Sequence, residues 1–368
     1  MIIGVLKEGN GENRVVLLPE HVTSLVKKNI EVWVEKDAGK ASFASDEEYK
    51  SAGASLKSRA DLLKGSDILF SVNAPEGDIP KGKVLVSTLS PLVNDAVVRK
   101  LAKDGVHSFS LDMIPRSTRA QAVDVLSSMA TVAGYKAVLL AASSLPHFFP
   151  MFMSASGTIK PSKVLILGAG VAGLQALATA RKLGAVVEVF DVRSAVKEEV
   201  LSLGGKFVEV EGAKDDASAG GYAVEQSEEY KKKQGELIQE KAIQSNVIIT
   251  TAQIPGRQAP LLIHKKTVEA MKPGSVIIDL AASTGGNCEL TKNNETIVHN
   301  NVTIIGNSNL ASTTPSDASK MLGRNYLSFL DLMIDEEGKL NLEVDDEIVQ
   351  QTCITRDGEV VHERVKGQ

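Results

Sequence analysis

Apolar positions in this chain fall into two alternating periods. Ile2–Leu6 is a short apolar strand, Pro19–Lys28 has helical spacing, and Glu31–Glu35 alternates polar and apolar residues as a strand does. Ile68–Val72 and Val84–Thr88 are unbroken apolar runs of the kind found in buried strands. Strands separated by helices predict a parallel sheet with crossover helices. Thr118–Ala142, rich in alanine and leucine, predicts one long helix, and Thr158–Ser162 a short loop. Val164–Asp191 then reads as strand, glycine turn, helix and second strand. Further strands are expected at Phe207–Val210, Val247–Thr251, Val276–Asp279 and Val302–Ile305. Ser316–Met333 is a second long helix, preceded by the helix-start run T-T-P-S-D. Lys339–Glu343 and a hairpin around Arg356, Asp357 and Gly358 close the chain.

The expected fold is α/β: two Rossmann-like domains with parallel sheets, joined by two long helices. Residues 1–127 and 310–368 would form one discontinuous domain, with a nucleotide-binding domain inserted at 128–309. A cofactor is expected in the interdomain cleft, at the carboxyl ends of the strands.

The glycine turn carries the most specific chemistry. Gly168, Gly170 and Gly173 have the G-x-G-x-x-G spacing. The first glycine permits a tight turn, the second lets a pyrophosphate approach the backbone, and the third lets helix and strand pack closely. Val171 opens the helix, whose N-terminal N–H groups would face the phosphates. Asp191 ends the next strand, where a carboxylate accepts from both ribose hydroxyls and repels a 2′-phosphate, so NAD(H) is favoured over NADP(H). The bland alternative is a plain strand–helix packing turn.

Composition narrows the remaining classes. The 368 residues are 43% hydrophobic and 24% charged, as in a globular protein of two domains. A net charge of −5 with no long basic run gives no footprint for nucleic acid. The most apolar stretch, Ala137–Phe152, is interrupted by serines, prolines and a histidine, so no direct membrane insertion is expected. Cys288 and Cys353 supply no disulfide framework, and no metal site is expected. The N-terminus reaches charge too early for a signal peptide, which with the cysteine usage points to the cytoplasm.

Two other segments stand out. Gly212–Gly235 is long and very polar: either a solvated loop with a short surface helix, or a mobile lid in which Gly220 and Gly221 give freedom and Tyr222 a flat ring. In I-P-R-S-T-R-A-Q-A-V-D-V-L-S-S, Gln121, Asp124 and Ser127 are spaced by three, and a helix would put them on one face. That stripe is either a set of caps with a solvated face or a ligand-facing site.

Taken together, P-R-S-T-R-A-Q-A-V-D-V-L-S-S with A-G-Y-K-A, G-A-G-V-A-G-L-Q, D-V-R, G-G-Y-A, T-T-A-Q-I-P-G-R-Q-A-P and M-K-P-G-S-V-I-I-D-L-A-A-S-T-G-G-N-C-E make the chain resemble a known family. It is similar, over nearly all its length, to the NAD(H)-binding components (domain I, in the alpha subunit) of the proton-translocating NAD(P) transhydrogenases, in the alanine dehydrogenase/transhydrogenase superfamily. The resemblance implies Si/Re-specific hydride transfer between NAD(H) on this chain and NADP(H) on a partner subunit. Membrane-spanning subunits would couple the transfer to proton translocation, and through them a homodimer of this chain would sit peripherally on the cytoplasmic face of the inner membrane. It implies a nicotinamide-end segment holding Arg116, Arg119, Gln121, Asp124 and Ser127, with Gln121, Asp124 and Arg116 closest to the chemistry. Asp191, Val192 and Arg193 would line the adenosine ribose. Gly221 and Tyr222 would fold over the nucleotide, and Thr251, Ala252, Gln253 and Leu280 would complete its site. One departure lies at 306–319, where family members carry an arginine before the proline and this chain has Thr313 and Thr314.

The same resemblance raises an alanine-type amino-acid dehydrogenase as an alternative. There an arginine, a lysine, a histidine and an aspartate bind and process the amino acid. Arg14 matches, but Asn73, Ser90 and Ser283 stand at the other three positions. Amine oxidation needs a general base, whereas transfer between two nicotinamide rings needs only positioning. A non-catalytic NAD-binding module is the remaining alternative.

Overall fold

A computed structural model of the chain describes residues 1–9, 11–210, 228–254, 256–335 and 339–367. The chain divides into two compact units, Met1–Met129 with Ala311–Gln368, and Ala130–Leu310.

Among the described residues, the first unit is built on an eight-stranded sheet. Its order is Glu359–Val360, Cys353–Arg356, His107–Ser110, Val84–Thr88, Ile68–Asn73, Ile2–Val5, Glu31–Glu35 and Ser55–Lys57. The six strands from the N-terminal part of the chain pair in parallel, and Cys353–Arg356 joins them antiparallel. Burial explains the unbroken apolar runs: Ile68, Leu69, Phe70 and Leu85 are all fully buried. The closing hairpin turns at Asp357 and Gly358, both with positive φ, the combination a two-residue turn of matching twist requires.

The second unit carries a seven-stranded sheet in the order Lys206–Phe207, β2 (Val186–Phe190), β1 (Lys163–Leu167), β3 (Val247–Thr250), β4 (Val276–Asp279), Val302–Ile305 and Thr296–His299. All neighbours are parallel except the last pair. The order reverses at β1, which makes the carboxyl ends of β1 and β3 the switch point of the sheet. The helix α2 (Val171–Lys182) follows β1 directly and buries Ala176, Leu177 and Ala180.

Several expectations give way to the structure. Thr118–Ala142 is not one helix. Thr118–Val123 is a 3-10 turn, Asp124 has ψ of 88°, and α1 (Val125–Ser144) begins after it. The aspartate side chain competes with helical hydrogen bonding and starts a new helix instead. Thr158–Ser162 is in part a strand, because Gly157 with φ of 114° turns Phe152–Ser154 back against Gly157–Ile159. Phe207–Val210 forms ladder only at Lys206–Phe207, and of Lys339–Glu343 only Leu340 pairs, in an isolated bridge to Ile334. Short His107–Ser110 and Ser55–Lys57 carry too few apolar positions to announce themselves as strands. The long helix α3 (Pro315–Met333) lies wholly inside the first unit and buries Leu322, Tyr326, Phe329 and Leu330 there, so α1 alone of the two long helices runs from one unit into the other.

By length and composition α1 is apolar enough to cross a membrane. Its Ala137, Val138 and Ala141 instead pack into the core of the second unit with Val164, Ile166 and Ala176.

Candidate functional site

The glycine turn sits where β1 hands over to α2. Gly168 has φ of 106°, a conformation that L side chains avoid, and an added Cβ would also strike the Thr251 hydroxyl. Gly173 has no room for a Cβ, which would fall on the Gly168 carbonyl oxygen. Gly170 is different: a Cβ there meets nothing within 4 Å. It is the N-cap of α2, and the first intrahelical bond runs from the Leu174 N–H to the Gly170 carbonyl at 2.9 Å. The N–H groups of Val171, Ala172 and Gly173 therefore have no intrahelical acceptor. An open surface over unpaired helix donors is the shape and polarity a pyrophosphate requires.

The back of this turn is equally tight. A Cβ on Gly134 of α1 would fall on the Ala172 carbonyl oxygen, so α1 presses backbone against backbone on the first turn of α2. That gives the glycine of A-G-Y-K-A a physical reason that its sequence alone does not show.

Asp191 follows β2 and is nearly buried, with 6% of its side chain exposed. One carboxylate oxygen accepts the Arg193 main-chain N–H and Nε, each at 2.9 Å. The other accepts Arg193 Nη2 at 2.9 Å and the Ala169 N–H at 2.7 Å. Asp191 thus ties the glycine turn to its own strand. The Asp191 carboxylate holds the Arg193 guanidinium above its already high pKa. Val192, between them, is half-buried against the core.

The structure brings Thr251, Ala252, Gln253 and Leu280 to the same strand ends. The Thr251 hydroxyl donates to the Gly168 carbonyl at 3.1 Å, and Gln253 Nε2 donates to the Leu280 carbonyl at 2.9 Å. The loops are held from beneath by two residues that sequence reasoning missed. Asp279, fully buried, accepts from the Thr250 and Thr291 hydroxyls at 2.9 and 2.6 Å and from the N–H groups of Ala281, Asn287 and Cys288. Asn287 donates to the carbonyls of Ala252 and Pro260 at 2.9 and 2.8 Å and accepts from the Ala252 N–H at 3.1 Å. An acid closing an otherwise apolar strand, V-I-I-D, was the available signal. Burial and the Asp279 charge push the neighbouring Cys288 thiol up to about 11, which leaves it protonated and inert.

The polar stripe lies in the other unit and is not one helical face. Asp124 caps α1: its carboxylate accepts the Ser127 N–H at 2.8 Å and the Ser127 hydroxyl at 2.6 Å. Gln121 and Arg116 are exposed. Arg119 is ion-paired with Asp346, which caps the helix Glu347–Thr352. Asn325 of α3 donates to the Ala122 carbonyl at 2.8 Å and fixes the 3-10 turn. Gly221 and Tyr222 lie outside the described residues. The Thr313–Thr314 departure immediately precedes α3, and the Thr314 hydroxyl is buried with no hydrogen-bond partner among the described residues.

Arg14 also lies in this unit and is nearly buried. Glu12 grips it bidentately, with its oxygens 2.7 Å from Nε and 2.5 Å from Nη2. Burial pushes Glu12 up, but the Arg14 bonds and charge outweigh it and hold the carboxyl below its usual range. Asn73 Nδ2 bridges Glu12 at 3.2 Å and Glu8 at 3.5 Å. Burial raises Glu8 to about 7 against the opposing N–H donors of Val72 and Asn73. Ser90 is exposed with φ of 50°, and Ser283 is exposed on a 3-10 turn.

Two family models match, alanine dehydrogenase/PNT N-terminal domain over residues 4–133 and alanine dehydrogenase/PNT C-terminal domain over residues 137–363. The chain is 44% identical to the first segment of the NAD(P) transhydrogenase subunit alpha of Rhodospirillum rubrum, over an alignment of 382 residues covering all of both chains. It is 42% identical to the NAD(P) transhydrogenase subunit alpha of Haemophilus influenzae, over 98% of this chain and 72% of that one. The crystal structure of transhydrogenase from Sinorhizobium meliloti superposes with a TM-score of 0.86 at 37% identity, covering 99% of each chain. An L-alanine dehydrogenase structure shares the fold, with a TM-score of 0.83 at 24% identity, over 100% of this chain and 98% of that one.

Proposed function

Because the chain belongs to the alanine dehydrogenase/PNT family, we propose that it is the NAD(H)-binding component of a proton-translocating NAD(P) transhydrogenase. Nicotinamide bound here would exchange hydride directly with NADP(H) on a partner component. Membrane-spanning partners would couple that exchange to proton movement and hold the chain at the cytoplasmic face of the inner membrane.

The observation that carries the reading is the glycine turn: an open cradle at Gly170 over N–H groups of α2 that have no intrahelical acceptor, with Asp191 bonded to its Ala169 N–H. Val171 and its neighbours would bind pyrophosphate oxygens, and Asp191, Val192 and Arg193 would form the ribose wall. Gly168, Gly173, Thr251, Ala252, Gln253 and Leu280 keep the strand ends in shape for the nucleotide. Gly221 and Tyr222 would cover it. In the first unit Arg116, Arg119, Gln121, Asp124 and Ser127 would orient the nicotinamide end. The chain's contribution is positioning, since hydride passes between rings without a proton transfer at the reacting carbon.

Two observations argue against amino-acid oxidation. The Arg14 guanidinium is held by Glu12 rather than presented as a carboxylate clamp, and neither Asn73 nor Ser90 is a base. A homodimer is supported by the exposed apolar side chains of Phe148, Met151, Phe152, Met153 and Ile159 on and beside the Phe152–Ile159 hairpin.

The test is single-turnover hydride transfer with the purified NADP(H)-binding component. Transfer should appear only when both are present, and its rate should saturate with the partner. Alanine-dependent NAD reduction by this chain alone, or no transfer with a cognate partner, would overturn the proposal.

A further inference from the structure

The charge at the ribose end of the site is not that of a bare carboxylate. Asp191 and Arg193 form a fork-to-fork ion pair two residues apart, and the same carboxylate also accepts two main-chain N–H groups. Only 6% of the Asp191 side chain is exposed, against 25% for Arg193. Glu199, on the following helix, adds a second negative charge acting on the same guanidinium.

These facts change the account of nucleotide choice. A lone aspartate would exclude a 2′-phosphate by repulsion. Here a guanidinium cancels much of that repulsion, yet its N–H groups on the Asp191 side are already committed. A planar guanidinium fork suits phosphate as well as carboxylate.

We propose that Arg193 is a specificity-determining residue, a 2′-phosphate ligand masked by its pairing with Asp191. This rests on the nucleotide reading above and goes beyond it. Asp191 would exclude NADPH mainly by occupying the arginine, and Arg193 in turn would soften the repulsion Asp191 exerts.

The two residues therefore have opposite effects on the same ratio. Removing the carboxylate releases the two guanidinium donors it holds, Nε and Nη2, toward the 2′-phosphate. Removing the cation leaves a bare carboxylate that rejects the phosphate more strongly.

Equilibrium dialysis of NADH and NADPH against the full chain separates these effects. Asp191→Ala should tighten NADPH by about ten- to a hundredfold, the worth of one charge-assisted hydrogen bond, while weakening NADH. Arg193→Ala should widen the NADH preference. The double variant should lose the NADPH gain. If circular dichroism shows that Asp191→Ala is unfolded, Asp191→Asn, which keeps an acceptor for the Ala169 N–H, is judged by the same criteria. No gain in NADPH binding on removing the carboxylate, or a gain that survives in the double variant, would overturn the proposal. Wild-type chain that binds NADH while the aspartate variants gain nothing refutes the masking alone. Wild-type chain that binds neither nucleotide refutes the nucleotide reading itself.

Discussion

Single residues here carry two kinds of work that a substitution can separate. Asp124 caps α1 and is also proposed to orient nicotinamide. Asparagine caps about as well as aspartate, so Asp124→Asn should hold thermal stability near wild type, whereas Asp124→Ala should lose about 1 kcal/mol. If Asp124→Asn keeps its stability and also its full transfer rate with the partner component, the residue is a cap and nothing more. Glu8 is a pH-sensitive residue. Its pKa is raised by burial, so the unfolded chain gives up this proton near the ordinary pKa of about 4.5 and the folded chain only near 7. Its contribution to stability is therefore complete below about 4.5 and lost as the pH rises through 7. Urea denaturation at pH 5 and pH 8 should show Glu8→Gln gaining on wild type by on the order of 2 kcal/mol at the higher pH. An equal difference at both pH values would refute the assignment.

At the scale of elements, the turn between β1 and α2 divides its glycines by purpose. Gly173→Ala puts a methyl group on the Gly168 carbonyl and should destabilise the protein by about 1–3 kcal/mol, as overpacking does. Gly170→Ala meets open space, so its melting temperature should stay near wild type while NADH binding weakens at least several-fold. Calorimetry and dialysis on the two variants check this, and equal loss of stability in both would show that Gly170 is a packing residue. The turn was legible because strand, glycines, helix and acid follow one another in sequence. The 118–128 segment was misread because Ala120, Ala122 and Leu126 fit a helix. What broke the helix was one side chain, Asp124, choosing the Ser127 N–H over continuation of the turn. Asp279 and Asn287 were not legible as a pair, since their partners at 250–252, 260, 281 and 291 come from separate strands and loops.

For the whole molecule, period and order in the sequence revealed the α/β class and the parallel sheets, because buried strands and crossover helices leave strong apolar signals. The edges did not show. Ser55–Lys57, Thr296–His299 and Glu359–Val360 are short, half-exposed strands whose place depends on neighbours distant in sequence. Family membership came from motifs, and the same motifs are where backbone meets backbone. Gly134 is the plainest case. With Ala137, Val138 and Ala141 it recurs at helical spacing on a face of α1 that touches Ala172 and the core of the second unit. One inserted residue in a helix turns everything beyond it by about 100° and advances it by about 1.5 Å. Between Gly134 and Ala137 that would replace the glycine by a side chain beneath the first turn of α2. The length of this segment is thus under tighter constraint than its composition: a conservative exchange at Ala137 or Val138 costs some packing, whereas a gain or loss of one residue leaves α2 without its seat.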